Sequence, residues 1–316
     1  MNSISPMKKE DELLPLSADI VRIVLARKPM HRKFLLRAIS DLNDSERAEV
    51  ERYIAFLLHD GLTAEVIANG YLTIVEDTFI EEMRFRETGR YRYSTFAEAQ
   101  ATVYDNHEYM SRYMVGLALS SFWWSNHMKM RRFFQSHLPA MAARTGTYRE
   151  VGPGHGMYFL ESMRHCNFGL YEGVDISPTS VEMTRRVIDS GFFGTFANAR
   201  IVHADFLKAP DLAPSNVLVM GEVLEHVENP GPFLARAFET TVGDPIFFLT
   251  TCINAPAVDH LYNPESVERL ELLFAEHGFV VRDRCIVPRD GASLEDCVRD
   301  RLAINVAYVL GKAGKR

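Results

Sequence analysis

From Tyr148 onward, short apolar runs alternate with helix-like segments, and this alternation constrains the fold more than any other feature of the chain. TYREV (147–151), FGLYEGV (168–174), ARIVHA (199–204), NVLVMG (216–221) and PIFFLTT (245–251) read as successive strands. Helical stretches such as MYFLESMRHC (157–166) and a segment near 264–277 separate them, which predicts an α/β domain with a mostly parallel sheet. FVVRDRCIV (279–287) and INVAYVL (304–310) read as a closing antiparallel pair, giving seven strands.

The first strand runs straight into REVGPGHG (149–156), where three glycines surround Pro153 and His155. Strand, glycine turn, helix is the arrangement that presents backbone N–H groups to a nucleotide-like ligand. The second strand ends at Asp175, an acid placed to accept hydrogen bonds from ribose hydroxyls. The third ends in Asp205-Phe206, an acid for an amino group beside a ring that can pack on a base. A dinucleotide oxidoreductase would need G-x-G-x-x-G, but Met157 stands where its last glycine would fall.

Residues 13–146 read as mostly helical, and 1–12 as a disordered polar start. Apolar residues recur at helical spacing in 16–26, 32–39 and 45–61. LTAEVIANGYLTIV (62–75) then reads as two β-rich runs joined at Asn69-Gly70, a hairpin signal, so 13–77 is expected to be winged-helix-like. Long helices are expected over 94–138, opened by a capping box at Thr95 and Glu98. Tyr104, Tyr109, Met110, Tyr113 and Met114 recur there near helical spacing; they read mostly as core and interface, with some available to wall a substrate pocket.

Net charge is −7 and no stretch concentrates Lys and Arg, so the helical region is expected to serve as a dimerisation or lid module and not to bind nucleic acid. Four scattered cysteines without a C-x-x-C pair suit reduced thiols in a cytoplasmic protein. No apolar run is long enough to suggest a membrane span.

Four segments in order, REVGPGHG, GVDIS (173–177), HADF (203–206) and GEVLEHVENP (221–230), resemble the successive motifs of class I S-adenosylmethionine-dependent methyltransferases. The resemblance covers about 147–310 and implies a seven-stranded Rossmann-like sheet over 147–316 behind the helical domain. It further implies that Glu150 and the backbone of Gly152, Gly154 and Gly156 hold the methionine portion of the cofactor. Asp175 would take the ribose, Asp205 and Phe206 the adenine, and Gly221 would face the reactive sulfonium. S-adenosylhomocysteine would be the product, and His155 departs from the small residue many members carry.

Side chains for chemistry are expected at the C-terminal ends of the strands. Glu222, Glu225 and His226 stand at i, i+3 and i+4, so a helix starting after the fourth strand would cluster them. His260, beside Asp259, is a candidate general base, while His107, His127 and His203 read as structural or solvated. No ligand spacing marks a metal site, and none is expected. The expected acceptor is a small-molecule metabolite or natural-product precursor, since both the N/D-P-P-Y/F motif of nucleic-acid amino-methyltransferases and a Pro-Cys nucleophile are missing. Two alternatives follow. One is a basic nitrogen, such as a guanidinium forked between Glu222 and Glu225; the other is a non-enzymatic DNA-binding regulator with a sensor domain. A homodimer through the helical region completes the expectations.

Overall fold

The computed structural model describes residues 13–314; the segment 1–12, expected to be disordered, lies outside them. Helices fill the chain to Ala142 and the first strand begins at Thr147. The helices are α1 (Pro15–Arg27), α2 (Arg32–Ser40), α3 (Asp44–His59), α4 (Ala64–Thr88), the short α5 (Phe96–Ala99), α6 (His107–Trp123) and α7 (Ser125–Ala142). Their ends follow local chemistry. Asn43 opens α3 with a reciprocal capping box, accepting from Glu46 N at 2.9 Å while Glu46 returns a carboxylate to Asn43 N at 2.8 Å. Thr95 and Glu98 form the box expected for α5. Gly89, with φ 69°, closes α4 in the left-handed conformation.

The expected hairpin at Asn69-Gly70 does not form: both residues lie inside the 25-residue helix α4. Gly70 serves helix packing, not a turn. A Cβ on Gly116 of α6 would lie 2.3 Å from the Gly70 carbonyl oxygen, so the two helices cross at a distance only paired glycines permit. The winged-helix expectation therefore fails at its wing, and the N-terminal region is helical throughout.

The sheet has seven strands, β1 (Thr147–Val151), β2 (Leu170–Asp175), β3 (Ala199–His203), β4 (Ser215–Gly221), β5 (Thr241–Ile253), β6 (Phe279–Pro288) and β7 (Ile304–Lys312). Their order is β3-β2-β1-β4-β5-β7-β6, with β7 antiparallel to both β5 and β6 and the rest parallel. The strand order reverses between β1 and β4, which opens a crevice at their C-terminal ends, where ligands bind in such sheets. Helices α8 (Met157–His165), α9 (Pro178–Asp189), α10 (Gly231–Thr240), α11 (Val267–Glu276) and α12 (Leu294–Asp300) follow β1, β2, β4, β5 and β6. Of these, only α8 and α11 are individually expected from the sequence.

Buried charge pins the register of the outer strands. Glu172 lies opposite Arg149 on β1 and Arg200 on β3, and pairs with both guanidinium groups. A register slip would leave the fully buried Arg149 without its partner, a strongly unfavourable state. One apolar core runs from the helices into the sheet, joining residues such as Tyr71, Phe122 and Phe134 to Tyr148, Phe159 and Phe248. Arg131 of α7, buried over the ring of Phe122, ties that helix to Glu49 of α3 and Glu161 of α8. The helices are thereby fixed over the crevice of the sheet.

Candidate functional site

A cavity of about 1290 Å³ lies between the C-terminal ends of the strands and the helical cover. That exceeds the roughly 300–1,000 Å³ usual for one drug-sized ligand, so it holds room for two molecules. One wall comes from the sheet and carries Gly152, Gly154, Asp175, Asp205, Phe206 and Gly221. The opposite wall comes from the helices, with Phe34, Met110, Tyr113, Met114 and Trp124 among its members.

At the sheet wall, Gly152, Gly154 and Gly156 all have positive φ, at 67°, 56° and 78°. The loop can turn this tightly only because those positions lack side chains, and a Cβ on Gly152 would come within 3.0 Å of Val223. Glu150, just before the loop, is buried and accepts from the Tyr148 hydroxyl at 2.6 Å. Burial, reinforced by Asp175 and Glu161, pushes its carboxyl up to about 8. Asp175 accepts from Ser177 N at 2.8 Å with one oxygen and from Gly154 N at 3.2 Å with the other. Burial lifts its carboxyl to about 6, and the two backbone donors restrain the rise. Asp205 accepts from Leu207 N at 2.9 Å, and the ring of Phe206 beside it lies tilted against Phe233, centroids 6.1 Å apart. A positive-φ cradle, a buried acid before it, and acids at two successive strand tips fit the adenosine-and-amino-acid ligand implied by the resemblance. His155 faces the cavity too, and burial holds its imidazole down near 4.

The polar end of the cavity gathers residues from distant parts of the chain. Glu222 follows β4 with φ 53°, a conformation costing a non-glycine residue about 1–3 kcal/mol and found where a site dictates backbone geometry. Its N–H donates to the carbonyl and hydroxyl of Thr250 at 3.1 and 2.9 Å. The expected helix at 222–226 is only a 3-10 turn, Leu224–His226, because the chain turns again toward Pro230. Glu225 is fully buried beneath it and accepts from Thr251 Oγ1 at 2.8 Å. Burial first, then the Glu222 carboxylate, raise its pKa well above the usual range. Since Glu225 is absent from the cavity wall, the Glu222–Glu225 guanidinium fork is not laid out.

His226 does reach the wall. Its Nδ1 lies 3.3 Å from Asp259 Oδ2, and the same oxygen accepts from the Tyr104 hydroxyl at 2.9 Å. Burial alone would lower the His226 pKa, but the Asp259 carboxylate, aided by Glu225 and Glu222, lifts it to about 10. Asp259, which burial would raise, is held near 2 by His226. His260 stands at right angles to His226, ring centroids 4.9 Å apart, with Nδ1 donating to Ala255 O at 2.7 Å. Burial and the neighbouring His226 push its pKa down to about 4. Leu261 N and Tyr262 N both donate to the Glu225 carbonyl, at 2.7 and 3.0 Å, and so clamp the post-β5 loop onto the 3-10 turn.

Three contributors were not anticipated. Tyr104, at the end of the helical turn after α5, is expected to pack or to wall a pocket; beyond lining the cavity it orients Asp259. His127, set aside as structural, faces the cavity and meets Ser120 Oγ at 2.7 Å. Asn254, with φ 50°, lines the cavity and is tied to Asn263 by two hydrogen bonds of 3.1 and 2.9 Å. The aromatic repeat over 104–114 was the available signal for Tyr104; nothing local marks His127.

Residues 126–300, more than half of the chain, match the family model described as a methyltransferase domain. No curated protein matches the sequence. Among solved structures, the YcgJ protein from Bacillus subtilis is 12% identical, covering 60% of this chain and 100% of its own, at a TM-score of 0.47. The N-methyltransferase NodS from Bradyrhizobium japonicum is 12% identical over 58% of this chain and 97% of its own, with TM-score 0.42. An O-methyltransferase from a trans-AT PKS multienzyme of Brevibacillus brevis, in complex with S-adenosyl-L-homocysteine, is 16% identical over 58% and 72%, with TM-score 0.43.

Proposed function

The chain belongs to the methyltransferase-domain family, and on that premise we propose that it methylates an oxygen of a small, largely apolar molecule held inside the cavity. It is an S-adenosylmethionine-dependent enzyme, and that cofactor supplies an activated methyl group on a sulfonium. The observation carrying the acceptor reading is the continuity of the cavity. One space is lined together by the glycine loop, by an aromatic and methionine-rich wall, and by Glu222, His226, His260 and Asn254.

Residues of the chain divide the work. Glu150 and the glycine loop take the amino-acid portion of the cofactor, Asp175 the ribose, and Asp205 with Phe206 the adenine. Gly221 leaves its space to the ring of Tyr158, whose Cε2 would lie 2.9 Å from a Cβ placed there. Met110, Tyr113, Met114 and Trp124 pack the body of the acceptor and exclude water. His226, held cationic beside Asp259, donates to the acceptor oxygen, and the neutral His260 takes its proton, with Glu222 beside them and Glu225 behind as support. Holding both reactants in line accounts for about 7–11 kcal/mol of barrier lowering in such transfers.

Phe96 N of the helical cover donates to Glu228 at 2.7 Å, a tie to the sheet domain between two residues that line the cavity. Among the described residues no helix is long and apolar enough to cross a membrane. The four cysteines are free thiols, which supports the cytoplasmic placement proposed here. A homodimer through the helical region remains part of the proposal, and sedimentation velocity tests it. The regulator reading loses its footing with the missing hairpin.

The acceptor is tested with methyl-labelled cofactor against apolar phenols, enols and carboxylic acids beside amines and guanidines of matched size. Product mass and fragmentation should place the methyl on oxygen. Turnover confined to amines or guanidines would overturn the reading.

A further inference from the structure

Glu225, His226 and His260 each bring one ligand-capable atom within 4.8 Å of the others. Glu222, Glu225 and Cys252 do the same, so the two groups share Glu225. Bonds of about 2.0–2.1 Å to a central ion set neighbouring donors about 3–4 Å apart, so small side-chain movements would suffice. We propose that Glu222, Glu225, His226 and His260 bind one divalent metal cation at the acceptor end of the cavity.

Three independent observations support the assignment. The first is the way both imidazoles are held. His226 has Nδ1 against Asp259, and His260 has Nδ1 against the Ala255 carbonyl. A metal-binding histidine characteristically spends one nitrogen on a carboxylate or carbonyl so that the other presents its lone pair. Here both leave Nε2 for a ligand. Asp259 is itself held by Tyr104, so the outer layer extends to a third residue.

The second is the charge balance. Glu225 and Asp259 are 0% and 2% exposed, and among the described residues the side chains that hydrogen-bond or ion-pair with their carboxyls include Thr251, Cys252, Tyr104 and His226 but no Lys or Arg. His226, itself a proposed ligand, is the one basic side chain among the described residues paired with these two buried acids, and burying more acid than base is costly unless a further cation compensates it. Asp259 Oδ1 has no hydrogen-bond partner at all.

The third is access. Glu222, His226 and His260 line the cavity while Glu225 anchors from beneath, so a bound ion keeps positions open toward the acceptor. Two imidazoles and two carboxylates suit Mn2+, Fe2+, Co2+ or Zn2+ better than Mg2+, which prefers oxygen ligands and retains its waters. Cys252, buried against the cluster with Sγ 3.7 Å from His260 Nδ1, adds a soft donor beside Glu222 and Glu225. The ion holds the acceptor's oxygens and lowers the pKa of an acceptor hydroxyl. That role rests on the methyltransferase reading; the binding of the ion does not.

The test uses full-length protein stripped with chelator and loaded with S-adenosylhomocysteine, titrated with Mn2+ followed by electron paramagnetic resonance, and separately with Zn2+. About one tight ion per chain is expected. His226→Ala, His260→Ala and Glu225→Gln should each raise its Kd at least tenfold, and Asp259→Asn should weaken it through His226. Unchanged S-adenosylhomocysteine affinity in the variants certifies the fold and the cofactor site. Failure of the unmodified protein to bind either ion above the His260→Ala baseline, with cofactor binding intact, would overturn the metal site alone. Loss of cofactor binding in the unmodified protein would instead refute the methyltransferase reading.

Discussion

Asp175→Asn separates cofactor binding from folding better than any other single change. The carboxylate spends one lone pair of each oxygen on Ser177 N and Gly154 N, which leaves one on each for a ribose hydroxyl. An amide keeps one acceptor and turns the other into a donor. Hydrogen bonds to a charged group are worth about 1.5–3 kcal/mol each, so weakening two of them should cost about 2–4 kcal/mol of binding. At about 1.4 kcal/mol per decade, Kd for S-adenosylhomocysteine rises roughly 30- to 700-fold.

The free protein should respond very differently. Burial lifts Asp175 from 3.8 to about 6, which makes its charge a destabilising burden of about 3 kcal/mol near neutrality. Removing the charge relieves that burden, while one backbone N–H left facing an amide NH2 takes back about 1–3 kcal/mol. The melting temperature should therefore change little. The pH dependence carries the same signature. Because the folded pKa lies above the unfolded one, the free protein gains stability as pH falls from about 6 toward 4, and Asn should abolish that gain. Cofactor affinity should move oppositely, weakening below about pH 6 in the unmodified protein only. Titration calorimetry and thermal melts with and without ligand measure all of this. An unchanged Kd in Asp175→Asn would refute the assignment of the ribose acid.

Further outcomes follow from other parts of the site. Glu150, pushed up to about 8, is mostly protonated at pH 7 in the free protein, and a cationic amino group beside it should expel that proton. Binding enthalpies in buffers of different ionisation heat should then differ by most of one proton at pH 7; identical enthalpies would argue against that placement. Tyr104→Phe removes the hydroxyl 2.9 Å from Asp259 and should cut kcat about tenfold with cofactor affinity unchanged. Gly116→Ala drives a methyl against the Gly70 carbonyl 2.3 Å away and should destabilise by about 1–3 kcal/mol, read in urea unfolding. A fully stable Gly116→Ala protein would mean that α4 and α6 do not cross as described.

The sheet, the glycine loop and the strand-tip acids were legible because their geometry is local. A strand, three glycines in consecutive alternate positions and a helix leave few conformations, and each strand-tip acid is fixed by the strand that ends there. Asn69-Gly70 misled because glycine has two uses, freedom at a turn and absence of bulk at a contact, and only the partner Gly116 distinguishes them. The Glu222–His226 segment was readable as chemistry but not as geometry. Its strained first residue is tied to Thr250 of β5, and its clamp comes from Leu261 and Tyr262, more than 30 residues away. Apolar spacing in α6 marks an interior face, yet it cannot say whether that face meets another helix or an empty pocket. Met110, Tyr113 and Met114 do both, and the aromatic wall emerged only with the packing of the helices over β1 and β4.

The central claim is that one cavity brings S-adenosylmethionine and a small acceptor together. Its most direct test is to incubate the protein with methyl-labelled cofactor and a small-molecule extract, then follow where the label goes. The account predicts label in an apolar, oxygen-bearing small molecule, formed in step with S-adenosylhomocysteine and lost in Asp175→Asn. Label entering only protein or nucleic acid, or none transferred although the cofactor binds, would contradict it.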